Sequence, residues 1–401
     1  MATVRPFAAL RPDPALAARV CAPPYDVVST AEARALAENN PYSFLHVGRP
    51  EIDLEPDTDV YSPEVYRKGA ENFRLLCEQG ALRQDDRPAF YLYRQIMGEH
   101  VQVGLVAVVD CDEYDRNIIR KHELTRPAKE DDRTRHIEAL DAQTGPVFLT
   151  YPAAGSLDVM VAEQTTGEPE VDFIADDGVR HSTWTLGGEE EMALVMATFA
   201  TMPALYIADG HHRSAAAARV ACARDDAGRS GSFLAVLFPH DQMQILAYNR
   251  VVKDLAGMDA KEFVQQLEGV FDLVEGEAPA AKNEVGLFLE GRWRLMKFRS
   301  ELTAVENPEE ALDVALLQRH VLEPMLDIKD PRTSERIDFV GGIRGATELE
   351  RCVGEGPGCA FSLHPTSIED LMAIADAGGL MPPKSTWFEP KLRDGLFCHM
   401  L

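Results

Sequence analysis

The sequence predicts a mixed α/β (α+β) fold in two domains. Its 401 residues exceed what one ordinary hydrophobic core needs. Short apolar runs bounded by turn residues alternate with segments that have helical patterning. The composition changes near residue 254. We therefore predict a core domain over residues 1–253 and a second, smaller α+β domain over residues 254–401 that closes over a site in the first.

The charge balance limits the classes of partner. The chain has 40 Lys and Arg against 66 Asp and Glu, a net charge of −26. Such a field repels nucleic acids and anionic membranes, so we expect neither as a partner, and the oligomeric state stays open. No apolar run approaches a membrane span, no signal peptide is evident, and the seven cysteines include no C-x-x-C pair. These features predict a cytoplasmic protein.

The N-terminal region contains a rigid loop. Residues 23–24 are both proline, which forces extended backbone before Asp26. Ser29 and Glu32 have capping-box spacing and predict a helix from residue 30. Residues 44–47 predict a short buried strand. Asp26 therefore follows a stiff segment, where it is either a turn former or a side chain aimed at a site.

The next segments predict both element types. Ser62 and Pro63 predict a helix start. The runs 90–95 and 101–109 predict two antiparallel strands. Turn residues predict hairpins at 177–178, 239–242 and 290–292. The patterning predicts two further helices, at 189–201 and 308–322.

Basic residues are unusually dense between residues 119 and 136. Lys129 and Arg133 lie four apart on one predicted helical face, where like charges repel unless an anion lies between them. A solvated face relieved by neighbouring acids explains the spacing equally well. His122 and Glu123 do not form an H-E-x-x-H zinc motif, because position 126 is arginine.

Residues 204–224 are the centre of the prediction. They read as a buried strand, an Asp-Gly turn at Asp209, and an alanine-rich helix. The start of such a helix presents unpaired backbone N–H groups and the positive end of its dipole, which suits an anion. Arginine can bind phosphate oxygens in a bidentate way. The alternative is ordinary turn chemistry with histidines that cap or pack.

The C-terminal run 378–393 is rich in proline and in hydrogen-bond donors. It carries Lys384, Ser385, Thr386 and Lys391 on a confined backbone, which suits an anionic or hydroxyl-bearing ligand. The alternative is a strap that packs its aromatic residues on the core. The run is not a Walker A loop, because the glycine-rich segment before the lysine is absent.

Four motifs carry a resemblance to a known family. Asp-Gly-His-His-Arg at 209–213 resembles the turn of the ParB/sulfiredoxin superfamily that holds nucleotide phosphates at a helix start. It is most similar to the free serine kinases of that superfamily and to domain-of-unknown-function family 1015 (DUF1015). Pro-Pro-Tyr-Asp at 23–26, His-Glu-x-Thr at 122–125 and the closing run 378–393 resemble the same family.

The resemblance implies a ParB/sulfiredoxin-like nucleotide-binding core and a small-molecule kinase. It implies phosphorylation of a free amino-acid hydroxyl, L-serine first, with ATP or ADP and Mg²⁺. The implied catalytic residues are Glu123, Asp26, Asp209 and His211. The implied phosphate ligands are Gly210, His211, His212, Arg213, Ser214, Lys121, His122, Lys129 and Arg133. The implied substrate ligands are Lys384, Ser385, Thr386, Lys391 and Arg250.

Three points stay open in the sequence. Asp26 or Glu123 would accept the hydroxyl proton, and Asp209 or Glu123 would contact Mg²⁺, but the sequence does not separate base from metal ligand. A nucleotide-binding switch without kinase activity, as in ParB, is one alternative. A metal-dependent hydrolase that uses the histidines is another. Sulfiredoxin-like chemistry is not expected, because His211 stands where those enzymes carry cysteine.

Overall fold

The computed structural model describes residues 1–225, 228–274, 276 and 278–401, and it has the mixed α+β fold that the sequence predicts. The chain forms two compact units: residues 1–243 together with 390–401, and residues 244–389. The domain boundary that we predict from the sequence lies after residue 253, and it differs from these units in placing residues 390–401 in the second domain. Closure of that domain over a site stays a prediction.

The strands are short except in the centre of the first unit. In chain order they are β1 (Val4–Arg5), β2 (Leu10–Pro12), β3 (Leu82–Gln84), β4 (Phe90–Met97), β5 (His100–Asp110), β6 (Ile119–Arg120), β7 (Ala142–Gln143), β8 (Val147–Tyr151), β9 (Val171–Ile174), β10 (Arg180–Leu186), β11 (Leu205–Asp209), β12 (Ser232–Pro239), β13 (Ile245–Leu246), β14 (Tyr248–Val252), β15 (Phe271–Val274), β16 (Glu284–Leu289), β17 (Arg292–Phe298), β18 (Ile337–Gly341), β19 (Cys359–Leu363), β20 (Trp387–Phe388) and β21 (His399–Met400).

The helices lie between these strands. In chain order they are α1 (Ala17–Val20), α2 (Thr30–Ala37), α3 (Leu45–Gly48), α4 (Pro63–Glu78), α5 (Cys111–Asp115), α6 (Pro127–Leu140), α7 (Gly155–Gln164), α8 (Glu189–Phe199), α9 (His211–Ala223), α10 (Ala260–Leu267), α11 (Ser300–Thr303), α12 (Asp313–Leu317), α13 (Gly345–Val353) and α14 (Ile368–Asp376). Short 3-10 turns cover Pro50–Asp53, Gly228–Gly231, His240–Gln242 and Gly342–Arg344, and a π-turn covers Gln318–Leu322.

The first unit is built on one large sheet. Its strand order is β6-β11-β8-β12-β5-β4-β10-β9, with β1 paired to β5. Strand β11 runs parallel to β6 and antiparallel to β8, and β12 runs parallel to β8. Because parallel neighbours end at the same edge of a sheet, the segment after β6 and the turn after β11 lie together.

The alanine-rich helix α9 lies against this sheet. Ala215, Ala216, Ala217 and Ala218 are all buried in the main core cluster of the unit. Small side chains let a helix backbone approach its neighbours closely, and α9 packs extensively against α6. The close packing fixes the first turn of α9 relative to the ends of β6 and β11.

Several predicted elements are confirmed. The side chains of Ser29 and Glu32 form the capping box that starts α2. Helix α4 starts at Pro63, and β9–β10 and β16–β17 form the hairpins predicted at 177–178 and 290–292.

Three predicted elements are wrong or incomplete. Residues 45–48 form the short helix α3 instead of a strand, because the apolar run is too short for its periodicity to separate the two. There is no hairpin at 239–242, since β13 pairs with β20 instead of β12. The helix predicted over 308–322 begins only at Asp313 and ends in the π-turn.

The second unit has its own sheet and core. The strand order is β15-β17-β16-β19-β14-β18, and the two-stranded pair β13–β20 lies outside it. A core cluster forms around Val251, Phe288, Val340 and Leu349. Across the residues that the structure describes in both units, no helix is long and apolar enough to cross a membrane.

Candidate functional site

The turn between β11 and α9 positions the predicted phosphate-binding residues. Gly210 has a left-handed backbone (φ 101°, ψ 28°), which a residue with a side chain rarely adopts. A Cβ at this position would lie 3.1 Å from Arg213 Nε and 3.4 Å from Val147 Cα. Glycine is therefore required both by the backbone conformation and by the space that the Arg213 guanidinium occupies.

Arg213 is the buried cation of the site. Its side chain is 8% exposed, and Nη2 lies 3.8 Å from Asp26 Oδ2 and 3.8 Å from Asp209 Oδ1. Nη1 donates to the carbonyl of Pro146, whereas Nε has no hydrogen-bond partner within the described chain. Burial alone would lower the pKa of Arg213, but the surrounding acids outweigh it and raise the pKa, so the guanidinium stays charged.

Asp209 is held in its ionised form. A register shift between Ile207 and Asp209 interrupts the β11–β8 pairing just before the turn. Lys391 Nζ lies 3.1 Å from Asp209 Oδ2. Burial would raise the pKa of this carboxyl, yet Lys391 and Arg213 lower it well below its ordinary value. The C-terminal segment thus brings a lysine to the β11–α9 turn.

Contacts of His122, His211 and His212 connect the segment that follows β6 to the first turn of α9. The backbone N–H of His122 donates to Nε2 of His211 at 3.5 Å, and the two rings meet edge to face with centroids 4.4 Å apart. The N–H of Arg126 donates to Nε2 of His212 at 3.0 Å. Burial lowers the pKa of all three imidazoles, so they are neutral and able to accept. His211 Nδ1 lies 3.9 Å from Glu123 Oε2.

Arg133 belongs to a second buried cluster beside Arg213. Its guanidinium lies 3.9 Å from the Tyr25 ring centroid and 2.7 Å from Asp132 Oδ2. The Tyr66 hydroxyl donates to Asp132 Oδ1 at 3.0 Å. Burial would lower the pKa of Arg133, but Tyr25 and Asp132 outweigh it and raise the pKa.

The structure brings together only part of the predicted set. Asp26, Asp209, Arg213 and Lys391 form one cluster, with the histidines beside it. Three other predicted phosphate ligands have different contacts: Lys121 lies 4.0 Å from the Tyr114 ring centroid, Lys129 lies 5.9 Å from the Tyr61 ring centroid, and the buried Ser214 hydroxyl donates to the carbonyl of His211 at 3.0 Å. Phosphate contact by these three stays a prediction.

Four predicted substrate ligands lie in the second unit. Arg250 is 3% exposed and donates to the carbonyls of Tyr248 and Pro383. Lys384 is exposed, with Nζ 5.2 Å from the Tyr248 ring centroid. The Ser385 hydroxyl donates to the Pro382 carbonyl at 2.5 Å, and Thr386 is partly exposed. Substrate contact by these residues stays a prediction.

The carboxylates suit a magnesium ion that arrives with phosphates better than a protein-built metal site. Within the described residues there is no group of three or more His, Cys, Asp or Glu able to hold a metal. Mg²⁺ is commonly bound by one or two carboxylates together with substrate phosphates. Asp26 and Asp209 are the carboxylates at the start of α9 that could face such an ion.

The family follows from the match along the chain. The family model described as "Protein of unknown function (DUF1015)" matches residues 4–315. The chain belongs to this family. The resemblance that the sequence motifs carry is therefore confirmed for most of the DUF1015 chain, including the segments that contain Asp26, Glu123 and Arg213.

Solved structures similar to this DUF1015 chain have low identity. SbnI with C-terminal truncation from Staphylococcus aureus has 12% identity and a TM-score of 0.41, over 72% of this chain and 85% of that chain. A free serine kinase in complex with AMP has 13% identity and a TM-score of 0.35, over 71% and 86%. A conserved hypothetical protein from Pyrococcus furiosus has 13% identity and a TM-score of 0.35, over 74% and 95%. The comparison with curated proteins found no match.

Three residues of the site in this DUF1015 protein are missed by reasoning from the sequence. They are Tyr25, Asp132 and Asp394, all of which are buried. Tyr25 enters the prediction only as part of the motif that precedes Asp26. The sequence predicts that Asp132 is a solvent-exposed acid. Asp394 follows the closing motif, and no sequence pattern distinguishes it. Their roles arise from contacts between distant segments, which spacing along the chain does not report.

Buried histidines predict an acid-sensitive first unit. Burial lowers the pKa of His122 and of His136 to about 4. A histidine in an unfolded chain has a pKa of about 6.5. When the pKa is lower in the folded state, the unfolded state binds more protons below pH 6.5, so the free energy of unfolding decreases as the pH falls towards the pKa of the folded state. Across that pH range each of the two histidines lowers the free energy of unfolding by roughly 3 kcal/mol. The raised pKa of Asp394 acts in the opposite direction over this window, whereas the lowered pKa values of His181, His211 and His399 add to the histidine effect. Because the histidines outnumber this carboxyl, we expect urea unfolding midpoints to fall between about pH 6.5 and 4.

The matched variant for this prediction is His136→Gln. His136 Nε2 lies 2.9 Å from the carbonyl oxygen of Val47. The side-chain amide of a glutamine can donate a hydrogen bond to the same oxygen. The variant has one titrating group fewer, so its midpoints should fall less steeply. Equal slopes for wild type and variant would contradict the assignment of the acid sensitivity to this histidine.

Proposed function

We propose that this protein is a nucleotide-dependent kinase of a small molecule that phosphorylates the hydroxyl of a free amino acid, with L-serine as the first acceptor to test. ATP or ADP would be the donor, accompanied by Mg²⁺. The observation that carries the proposal is the buried Arg213 at the uncapped start of α9, with an unpartnered Nε, two acids and Lys391 around it.

The arrangement matches what phosphoryl transfer needs from a protein. The reaction depends mainly on positioning the phosphates and neutralising their charge. The first turn of α9 supplies backbone N–H groups and a helix dipole, and among the described residues no side chain caps it. Arg213 adds a fork of donors that matches phosphate oxygens. The resemblance of residues 209–213 to the phosphate-binding turn of the ParB/sulfiredoxin superfamily supports the same assignment.

The acids take different roles in the proposal. Asp209 is a poor base because Lys391 and Arg213 hold its pKa low. It would orient Lys391 and face phosphate-bound Mg²⁺. Asp26 is 38% exposed and lies beside Arg213, so a hydroxyl can approach it. We assign the proton-accepting role to Asp26, and Glu123 contacts the site through His211.

The two alternative functions differ in what supports them. A nucleotide-binding switch would use the same turn, so binding without turnover is the result that distinguishes it. A metal-dependent hydrolase would need the imidazoles as ligands. His211 and His212 each use Nε2 to accept a backbone N–H group, and we therefore do not propose the hydrolase.

The test is a phosphoryl-transfer screen. Free amino acids and other small alcohols are incubated with ATP or ADP and Mg²⁺, and phosphorylated product is measured for wild type and for Asp26→Asn. We expect turnover of L-serine by wild type. A lost general base lowers kcat by about 10²- to 10⁴-fold, while nucleotide affinity changes little. The kcat loss follows because the amide cannot accept the proton.

The control for this screen is Asp57→Asn. Asp57 is an exposed acid on a different loop, so its variant should keep wild-type turnover. Nucleotide binding without turnover of any acceptor would favour the switch. A kcat for Asp26→Asn equal to that of wild type would remove Asp26 from the base role.

A further inference from the structure

Asp394 is a buried acid that the proposed reaction does not use directly. It lies in the C-terminal segment, and its side chain is almost wholly buried. Its backbone N–H donates to the carbonyl of Ala22 at 3.0 Å, and its carbonyl accepts from the Ala22 N–H at 3.1 Å. This bridge fixes Asp394 beside the loop that carries Tyr25 and Asp26.

Asp394 lines a small cavity in which polar side chains lie among apolar ones. The cavity has a volume of about 30 Å³ and is lined by Arg213, Arg133, Tyr25 and Thr144, among others. That volume accommodates one or two water molecules beside these polar groups. Oδ1 of Asp394 and Nε of Arg213 are both buried without a hydrogen-bond partner in the described residues.

Gly145 keeps the carboxyl and Arg213 close together. A Cβ on Gly145 would lie 3.1 Å from Asp394 Oδ1 and 3.3 Å from Arg213 Cδ. Both distances are tighter than ordinary van der Waals contact. The absence of a side chain at this position therefore leaves room for the Asp394 carboxyl and the Arg213 side chain on the same side of Gly145.

Burial and neighbouring charges act in opposite directions on the carboxyl of Asp394. Burial raises the pKa of Asp394 to about 7; Arg213 and Arg133 oppose this increase, and Asp26 adds to it. The other titratable groups facing this region are His136 on α6, Tyr25, Cys21 and Cys398. The pKa of His136 is lowered, and those of Tyr25 and both cysteines are raised. Asp394 is therefore the group in this set that changes charge near neutral pH.

We propose that Asp394 is a positioning residue that balances the charge of Arg213 and takes up a proton from solvent when a phosphate group binds at Arg213. A bound phosphate shares the positive charge of the guanidinium and adds negative charge beside the carboxylate. Both effects disfavour the ionised form of Asp394. Protonation of the carboxylate then leaves the Arg213 charge available to the phosphate.

Proton uptake makes nucleotide binding depend on pH. By linkage, a site that gains one proton on binding loses up to tenfold in affinity for each pH unit above the pKa of the free carboxyl. The inference rests on the nucleotide-binding part of the proposed function and is independent of kinase turnover. It can therefore be tested by binding alone.

The experiment is calorimetric titration of the full chain with ADP at about pH 8, in two buffers with different ionisation enthalpies. At that pH most of the Asp394 carboxyl is ionised before binding. We expect wild type to take up between about half a proton and one proton per ADP. Asp394→Asn, which mimics the protonated acid, should bind ADP with little proton uptake and with an affinity that stays flat between about pH 7 and 9.

Two further variants keep the test decisive. Asp177→Asn removes an exposed acid that forms an ion pair with Arg393, the residue before Asp394. This variant keeps the Asp394 carboxyl and should show wild-type proton uptake. Gly145→Ala adds a Cβ that presses on both Asp394 Oδ1 and Arg213 Cδ and moves the two groups apart, so it should reduce the uptake even if Asp394→Asn does not fold.

The outcomes separate the inference from the proposed function. Proton uptake by Asp394→Asn equal to that of wild type, or no uptake by wild type, overturns the role of Asp394 and leaves nucleotide binding in place. Failure of ADP to bind folded wild type overturns both. Uptake that disappears in Asp394→Asn and persists in Asp177→Asn supports the inference.

Discussion

Replacement of Arg213 by lysine is expected to weaken ADP binding by roughly 100-fold or more and to abolish measurable phosphoryl transfer. Lysine keeps the charge but is a point donor, and it loses the planar fork that can bind two phosphate oxygens. The loss of the fork would also end the contact with the Pro146 carbonyl. Calorimetric ADP affinity and the amino-acid screen measure the two effects.

The matched control lies on the same helix. Arg219 is 45% exposed and pairs with Asp131 at 2.7 Å on the surface. Arg219→Lys should therefore leave ADP affinity within about twofold of wild type, since exposed ion pairs contribute little. A thermal melt checks that both variants are folded. Wild-type ADP affinity in folded Arg213→Lys would remove Arg213 from the nucleotide site.

Replacement of Gly210 by alanine is expected to have the second largest effect, on both stability and binding. The left-handed backbone strains any residue with a Cβ, and this Cβ would also press on Arg213 Nε at 3.1 Å. We expect a loss of roughly 2–4 kcal/mol in the free energy of unfolding, together with weaker ADP binding. Urea unfolding and calorimetry measure the two changes.

A second glycine separates the backbone effect from the contact with Arg213. Gly178, in the β9–β10 hairpin, also has a positive φ of 79°, but a Cβ added there would have no neighbouring atom within 4 Å. Gly178→Ala should cost about 1 kcal/mol and leave ADP binding unchanged. Equal destabilisation by the two substitutions, with binding intact in both, would contradict the close contact at Gly210.

Much of the local structure was predictable from the sequence. The strand, Asp-Gly turn and helix around Gly210 follow from apolar patterning and helix propensity over neighbouring residues. The capping box at Ser29 follows from contacts three residues apart. The prediction failed at residues 44–47, where a short apolar run fits a helix as well as a strand.

The site was predictable only in part. Motifs point to Asp26, Arg213 and Lys391, and the structure places all three around the α9 start with Asp209. Charge density points to Lys121 and Lys129, yet each lies over a tyrosine ring. Charge density along the chain does not determine the direction of a long side chain, because the aromatic surfaces it packs on come from other segments.

Local sequence is enough to specify the turn that presents a helix start after Asp209, because that turn depends on residues only a few positions apart. It also determined the family to which the motifs belong. The positions of Asp394 and Lys391 near the turn that carries Arg213, about 180 residues earlier in the chain, become visible only in the folded protein. Burial and charge balance decide the protonation of such groups, and both arise from contacts between distant segments that no local pattern records.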